Sequence, residues 1–395
     1  MSTLHVVGGI YSERAIWPDW DQVYGSAGRA AAAVSSHVQK VSVEGYASST
    51  IADRFGTVAR AFGLDFRPVG AHQSIIFSYT HGLATPAISP DRHALTRLNS
   101  ITVSEPNVLR FGMLEGDAIV QAARAVYDPQ DQVAPVRFDA NGSRAESLAV
   151  VANQIEILKL AAKSTVEEAV AELLTSADVV VVKAGPLGAF VHDKSGVFQV
   201  PAYQSDMVWP VGSGDVFAGM FAARWASHGE PPAQAAEIAP RAVASYVESM
   251  ALPSPPVEAL LSTPRAPVAA VAGKVYLAAP FFSMGERWLV EEARRSLLAF
   301  GMEVFSPFHD VGPGPAETVA PADLQAVDDC DVMFAILDGL DSGTLFEVGY
   351  ARHAGKPVYA LAVSVPEEDL KMVEGSGCKV YSDFATALHH LTWRL

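Results

Sequence analysis

Two groups of residues in this chain have the types and spacing that bond-breaking chemistry needs. The first is centred on Glu347, in the stretch Leu337 to Gly349, L-D-G-L-D-S-G-T-L-F-E-V-G. An apolar run from Val332 to Leu337 ends in two aspartates and a Gly-Thr turn, and Phe346, Glu347, Val348 and Tyr350 then read as the opening of a helix. That spacing predicts Glu347 in a helix's first turn at the end of a buried strand. The positive helix terminus there favours an ionised carboxylate, and an ionised carboxylate is a candidate nucleophile. A plainer reading is that Asp341 caps the helix and Glu347 only answers its dipole.

The second group is V-G-S-G-D-V-F-A-G, Val211 to Gly219. Gly212, Ser213 and Gly214, small residues before a helix, expose backbone N–H groups to an anion, and Asp215 stands at the same helix start as a possible base. A capped helix start accounts for the same residues. Two further pieces precede it: N-Q-I-E, Asn153 to Glu156, opens an apolar helix, and V-V-V-V-K-A-G-P-L-G-A-F, Val179 to Phe190, is a buried strand running into a turn at Gly185.

Elements must position these groups. In the second half, Lys274 to Phe282 is a short strand carrying Tyr276, Glu286 to Phe300 is an amphipathic helix stopping at Gly301, and Glu303 to Ser306 is a second strand. Asp323 and Leu324 fall on a following helix before the Val332 strand. The order βαβαβα implies a parallel sheet with its site at the strands' carboxyl ends, the edge where Tyr276, Asp323, Asp341 and Glu347 collect. The first half opens with a strand, Leu4 to Val7, then an irregular Trp- and Asp-rich segment, then an alanine-rich helix from Gly25 to about Val38. Val41 to Gly45, Ser74 to Tyr79, Ile101 to Val103 and Ala125 to Asp128 read as strands, and Ser49 to Phe62 and Leu114 to Ala122 as helices.

The second half resembles the nucleoside 2-deoxyribosyltransferases and their nucleotide N-glycosidase relatives. The matching pieces are Y-L-A-A-P-F-F at Tyr276, the Asp323-Leu324 pair, D-x-G-T-x-x-E-x-G-Y-A from Asp341 to Ala351 and G-K-P-V from Gly355, together spanning most of Gly273 to Leu395. The resemblance implies that Glu347 attacks the anomeric carbon of a nucleoside, that Tyr276 and Asp341 orient nucleophile and sugar, and that Asp323 exchanges a proton with the base. It implies no cofactor. Elementary chemistry agrees, because breaking an N-glycosidic bond builds oxocarbenium character that one carboxylate stabilises while an acid protonates the leaving base. Lys371, in D-L-K-M-V, stands where the family often has an asparagine supplied from a neighbouring subunit.

The first half resembles the ribokinase-like (PfkB) carbohydrate kinases. W-P-V-G-S-G-D, Trp209 to Asp215, is similar to their D-T-x-G-A-G-D signature, and Asn153 to Glu156 to their N-x-x-E. The implied roles are Asp215 as base, Gly212, Ser213 and Gly214 as anion hole, Glu156 with Asn153 organising Mg²⁺ and phosphate, and Gly185 on the nucleotide side, with ATP as donor. Trp209 and Pro210 replace Asp-Thr, Lys183 stands where threonine is common, and Arg29 falls near a usual asparagine. Glu13, Asp19 and Asp21 are all possible counterparts of the sugar-binding aspartate.

Composition bounds the rest. The chain has 395 residues, half of them hydrophobic, enough for two or three domains with sizeable cores. A formal net charge of −16 opposes a nucleic-acid polymer as partner. Two cysteines, Cys330 and Cys378, form no disulfide framework, and no run approaches a membrane span or a signal peptide, so a cytoplasmic protein is expected. Ala251 to Gly273 carries five prolines and reads as a connector. The predicted organisation is α/β throughout: a ribokinase-like domain over 1–252, a Pro-rich linker over 253–272, and a smaller flavodoxin-like or Rossmann-like parallel-sheet domain over 273–395.

The function expected is a bifunctional enzyme of nucleoside and sugar metabolism acting on small-molecule nucleosides, nucleotides or sugars, assembled as a homo-oligomer. The alternative is a nucleoside- or nucleotide-binding sensor or scaffold whose kinase half is inactive.

Overall fold

The computed structural model describes residues 2–394. They divide into two compact units, 2–80 with 85–268, and 81–84 with 269–394.

The first unit is built on a ten-stranded sheet. Nine strands run in the order Gly196–Val200, Ala189–Asp193, Val179–Lys183, Arg144–Asn153, Ala118–Asp128, Asn107–Phe111, Thr3–Val7, Lys40–Ala47 and Asp65–Gly70, and Ile101–Ser104 pairs with Ala118–Asp128 off this path. The pairings are parallel except those made by Ala189–Asp193 with its two neighbours. Central strands are apolar on both faces, as V-V-V-V-K at Val179–Lys183 illustrates, because helices cover both sides of a parallel sheet. Asn153 is registered against Lys183, and Asp128 ends the next strand, so three polar residues arrive at one sheet edge.

Two expectations fail here. Leu114 to Ala122 is not a helix: Ala118–Asp128 is a strand, with Ala118 and Val120 fully buried and paired to Ile101–Ser104. Its alanines favour a helix locally, but pairing on both sides within the sheet overrides that preference. The segment between Gly9 and Gly25 is not irregular either. Ser12–Trp17 and Trp20–Val23 pair antiparallel, Ser12 against Val23, around a two-residue Pro18-Asp19 connection.

The second unit has a five-stranded, wholly parallel sheet in the order Glu303–Phe305, Lys274–Ala278, Val332–Ile336, Val358–Leu361, Lys379–Tyr381. In chain order this is 2-1-3-4-5, the flavodoxin-like arrangement, whose ligand crevice lies where strands 1 and 3 diverge. Alternation along each strand divides its side chains between two cores. Val275, Leu277, Phe334 and Ile336 pack with Val290, Leu297, Leu388 and Leu391. Tyr276, Ala278, Met333 and Ala335 pack with Val327, Val348, Ala351 and Leu370 on the other face. Tyr276 therefore faces the helices Ala316–Asp329 and Ser342–His353, which carry Asp323 and Glu347.

Residues 253–268 carry the helix Val257–Ser262, with Leu260 buried, and Val268 N–H donates to the Ala202 carbonyl at 2.8 Å.

Candidate active sites

In the second unit the Tyr276 hydroxyl donates to Glu347 Oε1 at 2.8 Å. Tyr276 is fully buried in the middle of its strand and stacks on Phe305, ring centroids 5.6 Å apart, so packing fixes the direction of its hydroxyl. Asp341 caps the helix Ser342–His353: its Oδ2 accepts from the Thr344 N–H at 2.8 Å and the Thr344 hydroxyl at 3.0 Å. The cap thus begins the helix at Ser342, and Ser-Gly-Thr, read from sequence as a turn, is its first turn. Glu347 lies in the second turn, where the terminus has lost most of its influence.

That position reverses the expected electrostatics. Burial pushes the Glu347 carboxyl up to about 7; the Tyr276 hydrogen bond opposes the rise, and the Asp323 and Asp341 charges add to it. Asp323, only 8% exposed, is pushed up by burial, and its Oδ1 has no hydrogen-bond partner. Burial and the Glu347 charge push the Tyr276 phenol far up, so it remains a donor. All four predicted residues of this unit meet within electrostatic reach; burial raises the proton affinity of both Glu347 and Asp323, and the Glu347 carboxyl, at about 7, is suited to proton transfer near neutral pH. Lys371 is exposed and paired with Glu368 at 2.6 Å.

In the first unit Gly212 is the N-cap of the helix Ser213–Ala222, at φ 82°, and Asp215 lies in the first turn. Asp215 Oδ2 accepts from Arg29 Nη1 at 2.8 Å, and its Oδ1 accepts from Gln130 Nε2 at 3.2 Å. Arg29, 1% exposed, also holds both carboxylate oxygens of Glu13, through Nη1 at 3.1 Å and through Nη2. Burial raises the Glu13 carboxyl's proton affinity, and the Arg29 charge opposes it. A Cβ on Gly212 would lie 2.3 Å from Arg29 Cδ and Nε, so only glycine leaves room for the guanidinium there.

Beside this triad, Lys183 Nζ lies 2.5 Å from Asp128 Oδ2, and Asp128 is fully buried. The same ammonium would stand 3.5 Å from a Cβ on Gly214. Asn153 and Glu156 form a reciprocal capping box: the Asn153 N–H donates to Glu156 Oε2 and the Glu156 N–H to Asn153 Oδ1, both at 3.0 Å. Gly185, at φ 54°, has open space where a side chain would project. The structure therefore brings Asp215, Gly212, Ser213, Gly214 and Lys183 together, with Asn153 at the neighbouring strand's end and Glu156 in the first turn of the helix Gln154–Ala161 that follows it.

These residues do not fit Mg²⁺ as arranged. Glu156 Oε2 is engaged by its own helix start, Asp128 by an ammonium, and Asp215 by a guanidinium and an amide. Among the described residues no group of three or more His, Cys, Asp or Glu side chains is placed to hold a metal ion. Sequence reasoning missed Asp128 and Gln130. The available signal was D-P-Q at the end of a buried strand, at the carboxyl edge where α/β sites form. Cys330 and Cys378 are both free and buried, and among the described residues no helix is long and apolar enough to cross a membrane.

Comparison with known proteins matches residues 275–378 to the nucleoside 2-deoxyribosyltransferase family and residues 125–255 to the pfkB family carbohydrate kinases. The chain is a fusion of a ribokinase-like (PfkB) domain with a nucleoside 2-deoxyribosyltransferase-like domain. No curated protein matches it by sequence. Similar solved structures include an E. coli protein described as a ribokinase II, in complex with ATP and Mg²⁺, at 16% identity over 66% of this chain and 98% of that one, TM-score 0.49. Fructokinase from Vibrio cholerae, with fructose, ADP and calcium, is 12% identical over 63% and 94%, TM-score 0.46. Adenosine kinase from Sinorhizobium meliloti is 14% identical over 62% and 94%, TM-score 0.45.

Proposed function

We propose that the second unit cleaves or exchanges the N-glycosidic bond of a nucleoside or 5′-nucleotide. The observation that carries this is the buried Tyr276 hydroxyl bound to Glu347 at 2.8 Å, on a carboxyl whose proton affinity is tuned to about 7. Glu347 is the nucleophile: its free oxygen attacks the anomeric carbon as the C–N bond breaks, forming a glycosyl ester. Asp323, whose affinity for a proton burial raises, is the group that gives a proton to the leaving base. Water or a second base then attacks the ester and returns a proton to Asp323. Tyr276 orients Glu347 and steadies its charge, and Asp341 orients the sugar while fixing the helix that carries the nucleophile. No cofactor is required.

The test is chromatography of the full chain with nucleosides and 5′-monophosphates, with and without a second free base, beside Glu347→Ala. Free base released only with Glu347 present supports the reading, and a new nucleoside makes the enzyme a transferase. No reaction anywhere in the panel removes it.

For the first unit the sequence favours ATP-dependent phosphorylation of a sugar or nucleoside, with Asp215 as base. One observation favours the other reading, a nucleoside- or nucleotide-binding unit without turnover: Arg29 already occupies Asp215. Assembly into a homo-oligomer belongs to the same proposal, and light scattering on the purified chain decides it.

A further inference from the structure

Each acidic group that phosphoryl transfer would draw on in the first unit has a partner from the chain itself. A base must offer a carboxylate oxygen within about 2.6–3.2 Å of the hydroxyl it deprotonates. Both oxygens of Asp215 are taken, one by Arg29 and one by Gln130. The Arg29 guanidinium lies directly over Gly212, filling the space between the base and the small-residue loop where a phosphoryl group would be received. Two buried carboxylates hold it there, and a chain carboxylate left without its cation at such a site is strongly disfavoured. The loop itself is partly closed, since the Ser213 N–H donates to the Pro210 carbonyl and the Asp215 N–H to the Gly212 carbonyl, both at 3.1 Å.

Lys183 does the same on the neighbouring side. Its ammonium is bound to Asp128 at 2.5 Å and faces Gly214. The other Asp128 oxygen accepts from the Gln130 N–H at 3.3 Å. A fixed ammonium neutralises the carboxylates that would attract a divalent cation and repels that cation directly.

We propose that Arg29 and Lys183 are resident surrogates: the guanidinium stands in place of an acceptor hydroxyl against Asp215, and the ammonium stands in place of a divalent cation beside Asp128 and Glu156. The first unit then takes its nucleoside or nucleotide without metal and transfers no phosphoryl group. This rests on the binding reading of the first unit given above and assigns the residues responsible for it.

The experiment uses the full chain with Mn²⁺ as the probe, free ion being read by electron paramagnetic resonance. Wild type and Asp128→Asn should bind the same amount of Mn²⁺. Lys183→Met should bind an additional ion per chain, and the Lys183→Met, Asp128→Asn double variant should lose it. Mn²⁺ bound by wild type and removed by Asp128→Asn overturns the proposal, as does a Lys183→Met variant that binds no more than wild type. Should Lys183→Met melt as an unfolded chain, Lys183→Gln takes the same readout. In parallel, wild type should consume no ATP in the presence of a sugar and nucleoside panel with Mg²⁺. Acceptor-dependent consumption that Asp215→Asn abolishes overturns the proposal directly. Thermal melting with ATP, ADP and adenosine tests the underlying reading separately: no shift with any of them removes ligand binding by this unit, and the Mn²⁺ comparison still decides the surrogate role.

Discussion

The Tyr276 hydroxyl and Glu347 Oε1 lie 2.8 Å apart although 71 residues separate them in sequence. Parallel pairing of Lys274–Ala278 with Val332–Ile336 brings the strand end and the following helix together, and strand alternation turns Tyr276 toward that helix. The donor opposes the rise that burial imposes on the Glu347 carboxyl, so Tyr276 helps set the pH at which that carboxyl is charged.

The pH profile follows from that balance. With Glu347 acting ionised and its carboxyl at about 7, kcat/KM should rise with pH through about 7 on its acid limb. Tyr276→Phe removes an interaction that lowers this value, so the limb should move to higher pH, by about one unit for one hydrogen bond to a carboxylate. A limb that stays in place or moves down would contradict the assignment.

Stability should respond in the opposite sense. Glu347 has its folded-state pKa raised, from 4.5 to about 7, so the folded chain binds more protons between these values and loses stability as pH rises through them. Glu347→Gln keeps the acceptor for Tyr276 without the charge. It should stabilise the second unit at pH 8 by on the order of 1–2 kcal/mol after discounting for partial exposure, and by nothing below pH 4. Urea unfolding at the two pH values measures the difference.

The cap that Asp341 forms and the sugar-orienting role proposed for it can be separated by substitution. Asp341→Ala removes the cap from Ser342–His353 and should cost about 1 kcal/mol, whereas Asp341→Asn, an equally good cap, should restore the stability. Glycosidic activity that stays low in the asparagine variant would assign the carboxylate a role toward the sugar. Full activity there would reduce Asp341 to a cap.

Arg29 should be far more costly to remove. Arg29→Met leaves Glu13 and Asp215 buried and unpaired, for a loss of about 3–5 kcal/mol, and adding Glu13→Gln and Asp215→Asn to it should recover most of that. Denaturant melts of the single and triple variants test this, and a mild single variant would show the triad to be solvated.

Much of the second unit was legible because its signals are local. The strand at Val332, the Asp341 cap and the apolar alternation of Lys274–Ala278 each lie within a few residues. Glu347 was misplaced by one turn because Ser342, Gly343 and Thr344 are turn formers in isolation, yet the Asp341 cap recruits them into the helix. The sign of its pKa shift was hidden for a different reason: a dipole can be read from helix position, but burial depends on what the rest of the sheet packs around it. In the first unit the glycines and Asp215 could be found from spacing, whereas the Arg29 to Asp215 contact spans 186 residues and leaves no periodic trace. Ala118–Asp128 failed for the related reason that its partners, Ile101–Ser104 and Arg144–Asn153, decide its conformation.

The Asn153–Glu156 box ties a pattern associated with phosphate handling to the bare mechanics of starting a helix. Each side chain accepts from the other residue's backbone N–H. Loss of the Asn153 cap should therefore cost stability, about 1 kcal/mol, with no ligand in the assay. Foldability alone would thus favour N-x-x-E at these positions, whatever the unit does with phosphate.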